Sequence, residues 1–293
     1  MLIEKKDSAH KITYKFGCFK FTILKKLTLI YKLKKLVDKI SYHMAKVFYP
    51  NTSVKKYKYF IPFGMNCDFS TRFLHYFKFN DSTFWNWVYA PDVDIQIEVW
   101  EHPEILFSAG QKFTSYGGGM WECLKTNLKF HSKNTYGYFV KADGILDKKL
   151  LEEDFEELSS RTKYLYEKTK RYLELKDKKL FTYNMMCSDY KNIDLYINKV
   201  KNLYDFIAQR TENFDFLLVV ARQNYELTKK EIEKTHPQIY VRQVKSYYRG
   251  RQDLSIDRIG WIKIFKEFQP VKIIKSKYKK TKFNQLEVNK LNE

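Results

Sequence analysis

Four cysteines (Cys18, Cys67, Cys123, Cys187) and six histidines are the residues of this 293-residue chain best suited to nucleophilic or metal chemistry. Their surroundings favour Cys67. It closes the run Gly64-Met65-Asn66-Cys67, between the aromatic stretch Tyr57-Lys58-Tyr59-Phe60-Ile61-Pro62-Phe63 and an apolar-periodic run through Phe69, Phe73, Leu74 and Phe77. Asp68, Ser70 and Thr71 offer first-turn acceptors, so the pattern predicts a strand, a turn and a helix. Glycine at the turn permits a tight reversal or close backbone approach. Unpaired N–H groups and the positive end of a helix favour thiolate, and can lower a cysteine pKa from about 8.5 toward about 3.5–7.5. The carboxyl end of a strand is also where open α/β sheets bind ligands. The competing reading is an inert core thiol, because free cysteine is among the most buried residue types.

Other reactive residues are less well placed. His75 follows Cys67 by eight positions, two turns along the same predicted helix and out of direct reach. His102 precedes Pro103 in an apparent loop. Neither Cys123 nor Cys187 has a finger-like partner spacing, so no metal site is expected. The run Gly117-Gly118-Gly119 lacks a following Lys-Ser or Lys-Thr and reads as a turn or lid, not a phosphate loop. Arg249-Gly250-Arg251 reads as loop charge, although it suits a phosphate or carboxylate.

A sheet must carry the turn. Strand patterns recur at Lys179 to Asn184, Phe214 to Ala221 and Gln238 to Val244, the second apolar on both faces as a buried parallel strand is. Helical patterns intervene over about 152–175, 193–209, 227–234 and 260–268. This alternation predicts an α/β fold of three layers, a mainly parallel sheet with helices on both faces. The stretch from Asp81 to about Gly144, with Trp85, Trp87, Trp100 and Trp121, reads as long functional loops. The expected organisation is a basic amphipathic helical arm over 1–50, the α/β domain with its Cys67 site over 51–270, and a lysine-rich tail over 271–293.

The arm carries twelve lysines against three acids, a net of +9. Ile23, Leu27, Ile30, Leu33, Val37, Ile40, Met44 and Val47 form one helical stripe, with the lysines mostly off it. Such a helix suits either an anionic membrane surface, through residues 20–48, or packing on its own domain. The formal charge of the whole chain is +20, but only nine of 54 basic residues are arginine. The excess of Lys, Asn, Ile, Phe and Tyr matches AT-rich coding, so specific nucleic-acid binding is not expected. With no CxxC pair, no cleavable leader and no uncharged apolar run of about 18 residues, the expected place is the cytoplasm, peripheral to the inner membrane face at most.

The segments Phe60-Ile61-Pro62-Phe63-Gly64-Met65-Asn66-Cys67, Arg72-Phe73-Leu74 and Ser82-Thr83-Phe84-Trp85-Asn86-Trp87 resemble the opening of a bacterial domain-of-unknown-function family described as papain-like cysteine peptidases. Tyr166 to Asn184 and Gly260-Trp261 with Ile264-Phe265 extend the likeness. The resemblance implies that Cys67 is the nucleophile. The family's acid before tryptophan falls on Asn86, which can orient an imidazole in a Cys-His-Asn arrangement. His131 in Lys129-Phe130-His131-Ser132 stands nearest the family's His-Asp-Phe motif and would be the base, with Ser132 replacing the acid. Gly64, Asn66, Asp68 and Trp87 would line the substrate or oxyanion position. A cysteine-dependent hydrolase needing no cofactor is the first expectation, acting on an acyl, peptide or glycan substrate. The Gly-x-Asn-Cys turn also resembles that of capsule-biosynthesis acetyltransferases, which implies a coenzyme A-dependent acyltransferase of surface-polysaccharide synthesis as the alternative. A non-catalytic membrane-surface binding protein is the second alternative.

Overall fold

A computed structural model describes residues 3–7, 11–16, 19–24, 40, 44, 53–64, 68–77, 81–90, 92–106, 110–115, 119–185, 193–244 and 258–271. In chain order the strands are β1 (Ile3–Asp7), β2 (Lys11–Phe16), β3 (Phe19–Leu24), β4 (Lys55–Tyr57) and β5 (Tyr59–Gly64). Helix α1 (Asp68–Phe77), a 3₁₀ turn (Phe84–Trp87), β6 (Val88–Tyr89) and α2 (Val93–Glu101) follow. Then come β7 (Gln111–Thr114), β8 (Met120–Cys123), β9 (Lys129–His131) and α3 (Lys148–Glu174). The last part runs β10 (Lys179–Met185), α4 (Ile193–Ala208), β11 (Phe214–Ala221), α5 (Tyr225–Thr235), β12 (Ile239–Val244), α6 (Arg258–Glu267) and β13 (Phe268–Pro270).

Four parallel strands in the order β12-β11-β10-β5 make the central sheet. Because that order never reverses, right-handed crossovers put α3, α4 and α5, the helices that lead back into the sheet or away from it between its strands, on one face. Packing agrees. Ile61, Phe63, Phe181, Tyr183, Phe216, Leu218 and Val241 form one core with Leu158 and Tyr166 of α3, Val200 and Leu203 of α4 and Ile232 of α5. The alternate residues Phe60, Leu180, Leu217, Val219 and Val244 form a second core with Phe69 and Phe73 of α1 and Trp261, Ile264 and Phe265 of α6. Each large side chain withdrawn from water contributes about 1.5–3 kcal/mol, so the sheet presents apolar side chains on both faces and both need helices. The three-layer α/β reading holds.

Two parts depart from the sequence expectations. The stretch from Asp81 to Gly144 holds α2 and a four-stranded antiparallel sheet, β6-β9-β8-β7, where loops were expected. Its strands have two to four residues, too few for alternation to stand out. In the arm, β1, β2 and β3 form an antiparallel meander pairing Tyr14 with Phe21 and Ile12 with Ile23. Ile23 alternates with Phe19 and Phe21 at period two, so it belongs to a strand and does not open the helical stripe. Ile40 and Met44 are helical and 54% and 51% exposed. The other stripe residues, and all of the tail beyond Val271, lie outside the described residues. Among the described residues no helix is long and apolar enough to cross a membrane.

Candidate active site

The carboxyl end of β5 is shaped by three buried residues. Gly64, its last residue, has φ +140°, a conformation that L side chains rarely adopt. It faces Asn184 across the ladder to β10. A Cβ on Gly64 would stand 2.4 Å from Asn184 Oδ1 and 3.1 Å from its Cγ. Glycine here makes room for the carboxamide of the neighbouring strand. From α2, Gln96 donates through Nε2 to the Ala90 carbonyl at 2.8 Å and to the Gly64 carbonyl at 3.5 Å. Gln96 is fully buried, and its Oε1 has no hydrogen-bond partner among the described residues.

Four residues after Gly64, Asp68 opens α1. Its amphipathic face, Phe69, Phe73 and Phe77, packs on Phe265 of α6 and runs back along the sheet. The amino end of α1 therefore lies at the carboxyl edge of the sheet. Cys67 and Asn66 lie outside the described residues, as does Cys187, and the flanks Gly64 and Asp68 are where the sequence predicts them. Cys123, by contrast, is fully buried in β8 with Sγ 3.9 Å from the Ile105 carbonyl, a core thiol.

The Ser82-to-Trp87 motif closes on itself. Asn86 Oδ1 accepts from Thr83 N at 2.7 Å and from Thr83 Oγ1 at 2.5 Å, capping the 3₁₀ turn. Both acceptances come from Thr83, so the oxygen expected to orient an imidazole is already engaged. Thr-x-x-Asn is itself a capping pattern, which explains the engagement. Phe84 and Trp85 are buried core, Trp85 lying 5.7 Å from Phe63 by ring centroids. Trp87 is half-buried and donates to Ser82 Oγ at 3.2 Å. With Pro62, Ser70, Leu74 and Asn86 it lines a small pocket between α1 and the turn.

His131 ends β9 in the antiparallel sheet, opposite Met120. In the β6–β9 ladder Val88 faces Phe130, so His131 comes one position beyond the last pair. Burial, and then the nearby Arg161 cation, lower its pKa, favouring the neutral imidazole. Arg161 of α3 donates to the His131 carbonyl at 2.9 Å. Ser132 is turned elsewhere, donating to Asp154 Oδ1 at 3.0 Å. His102 caps the end of α2 and pairs with Glu104 at 3.2 Å on the surface. Among the described residues no three His, Cys, Asp or Glu side chains gather as metal ligands.

Gln96 and Asn184 escape a reading by motif. A polar residue in the apolar run Ile95-Gln96-Ile97 and an asparagine at the carboxyl end of a buried strand are the signals that would have found them. No protein-family model, curated protein or solved structure matches the chain.

Proposed function

We propose that this chain is a cysteine-dependent hydrolase in which Cys67 is the nucleophile. One observation carries the reading: β5 stops at Gly64 and α1 starts at Asp68 at the carboxyl edge of a parallel sheet, so Cys67 immediately precedes the helix. The first N–H groups of a helix have no intrahelical acceptor, and their partial positive charge favours both a thiolate and an oxyanion. In the reaction, the neutral imidazole takes the Cys67 thiol proton as sulfur forms a bond to the acyl carbon and the carbonyl π pair moves to oxygen. Collapse re-forms the carbonyl and expels the leaving group, which takes a proton from the imidazolium. Water then attacks the thioester, its proton passing to the imidazole, and the thiolate departs. His131 is the proposed base, because burial favours its neutral form and it follows Phe130, the partner of Val88, at the end of β9. Asn86 has no part, since Thr83 engages its oxygen.

Alkylation of Cys67 by iodoacetamide across pH, followed on its own peptide, tests this. An activated thiolate reacts well below pH 8, whereas a midpoint near the ordinary value of about 8.5 refutes the nucleophile. The same thioester can pass its acyl group to another acceptor, so an acyltransferase differs only in its second substrate. Coenzyme A raises the melting temperature of a transferase and leaves that of a hydrolase unchanged.

The exposed pair Ile40 and Met44, four residues apart on one helical face, supports an anionic membrane surface as a partner. The net +9 of residues 1–50 supplies the complementary charge.

A further inference from the structure

The positive charge of this chain is collected at its two ends, and the fold brings the two points of attachment together. Residues 1–50 carry a net of +9 and residues 272–293, with seven lysines against two acids, a net of +5, while the residues between them share only +6. Lys55–Tyr57 of β4 pairs in parallel with Phe268–Pro270 of β13, and Val271 N donates to the Tyr57 carbonyl at 2.9 Å. The chain therefore enters at Val54 and leaves at Val271 within four residues along one strand pair, roughly 13 Å. That pair lies at the amino edge of the central sheet. Tyr57 donates its hydroxyl proton to Asp215, the second residue of β11, and Lys55 stands over the ring of Tyr240, the second residue of β12. Gly64 and the start of α1 lie at the carboxyl edge, the full length of β5 away.

The surface around these attachment points has a matching chemistry. Lys56 and Lys176 are exposed cations, and beside them Val54, Leu175 and Val271 are 39%, 41% and 54% exposed. Cations among apolar side chains suit the headgroup region of an anionic bilayer, where ammonium groups meet phosphates and aliphatic groups enter the acyl boundary. A nucleic acid rewards the cations alone and leaves the valines and the leucine in water. We infer that the amino edge of the sheet is the membrane-facing side of this protein and that the lysine-rich segment after Val271 is a second lipid contact there, an inference that rests on the membrane reading above. Two contacts fixed to one domain reinforce each other, because the second becomes intramolecular once the first is made, and their joint affinity exceeds either by about 10²–10⁴. The carboxyl edge, with the start of α1, then faces the aqueous phase.

The experiment uses the full chain with vesicles of phosphatidylcholine containing about 30% phosphatidylglycerol. Lys272→Gln, Lys275→Gln, Lys277→Gln, Lys279→Gln, Lys280→Gln and Lys282→Gln combined are expected to weaken sedimentation with these vesicles about tenfold or more, with a thermal melt as the check of folding. Lysine acetylation read by mass spectrometry on the wild-type chain needs no variant. Vesicles should slow the modification of Lys56 and Lys176 about threefold or more and leave Lys149 unchanged, since Lys149 is 84% exposed at the opposite end of α3. Full binding by the combined variant, or protection of Lys149 equal to that of Lys56 and Lys176, overturns the inference and leaves the membrane reading standing. No sedimentation of the wild type removes that reading itself. Protection of Lys56 and Lys176 by a DNA duplex, without sedimentation on vesicles, overturns both and assigns the charge to nucleic acid.

Discussion

The indole of Trp121 donates to Asp154 Oδ2 at 2.7 Å, joining the antiparallel sheet to the long helix α3. Asp154, 6% exposed, also accepts from Ser132 Oγ at 3.0 Å and Asn134 Nδ2 at 3.2 Å. This carboxylate thus fixes the segment after His131 as well as the sheet. Replacing it by alanine strands three donors in or near the interior. Asp154→Ala is expected to destabilise by about 2–4 kcal/mol, measured by urea unfolding, and a loss under 1 kcal/mol would contradict this account.

Gly64→Ala combines a disfavoured φ with a contact no real Cβ makes. A destabilisation of about 2–4 kcal/mol is expected. The double substitution Gly64→Ala with Asn184→Ala removes the two side-chain contacts and leaves the backbone strain with the 3.1 Å approach to the backbone nitrogen at position 184, so it should recover part of the loss. Strict additivity in a double-mutant cycle would mean that the two residues do not press on one another.

The lowered pKa of His131 has a sign that stability can read. Burial disfavours the imidazolium, so the folded-state value lies below the unfolded one of about 6.5. Its contribution is fully present above that pH and declines as pH falls toward the folded value, where the unfolded chain binds the proton more readily. Going from pH 7.5 to pH 5, wild type should therefore lose more melting temperature than His131→Gln. Parallel losses in the two proteins would place His131 in a solvated setting.

Lys179, at the start of β10, is wholly buried and turns Nζ onto the carbonyls of Leu175, Asp177 and Glu212, where α3 ends. Cations stabilise carbonyls at a helix terminus, and here the ammonium also satisfies oxygens that water cannot fully reach. Lys179→Met should cost about 1–3 kcal/mol by chemical denaturation, despite its apolar gain. A neutral or stabilising result would mean that desolvation of the ammonium outweighs its three acceptors.

For the membrane surface, sedimentation with vesicles containing about 30% anionic lipid should carry the chain down at low salt, and release it as ionic strength screens the lysines. Ile40→Glu with Met44→Glu should reduce binding about tenfold or more. Equal binding by this variant would reduce the contact to non-specific charge. Binding to neutral vesicles alone would remove the lysines from it.

Legibility in the sequence followed element length. β11 declares itself because Phe216 to Ala221 is apolar on both faces, and α3 because its period persists over seven turns. β6, with two residues, carries no period, and the arm failed because an alternating strand and a helical stripe share Ile23. At the site, Gly64 and the helix beginning at Asp68 were readable from turn and first-turn chemistry. Gln96 and Asn184 were not, because what they do depends on a contact made across 32 and 120 positions of chain. Asn86 misled for the converse reason: an amide suited to orient an imidazole is equally suited to cap its own turn.

Helix α3 runs unbroken for 27 residues, about 40 Å at 1.5 Å per residue. Asp154 and Arg161 hold the antiparallel sheet, while Tyr166, Thr169 and Tyr172 hold the 3₁₀ turn and β5. It works as a keyed shaft. One residue inserted between Arg161 and Tyr166 would rotate one set of teeth by about 100° against the other, and only steps near two full turns, about seven residues, would restore their phase. Length changes at the centre of this helix are therefore forbidden where exposed substitutions are harmless, so the spacing of these side chains, more than their identities, is what descent must preserve.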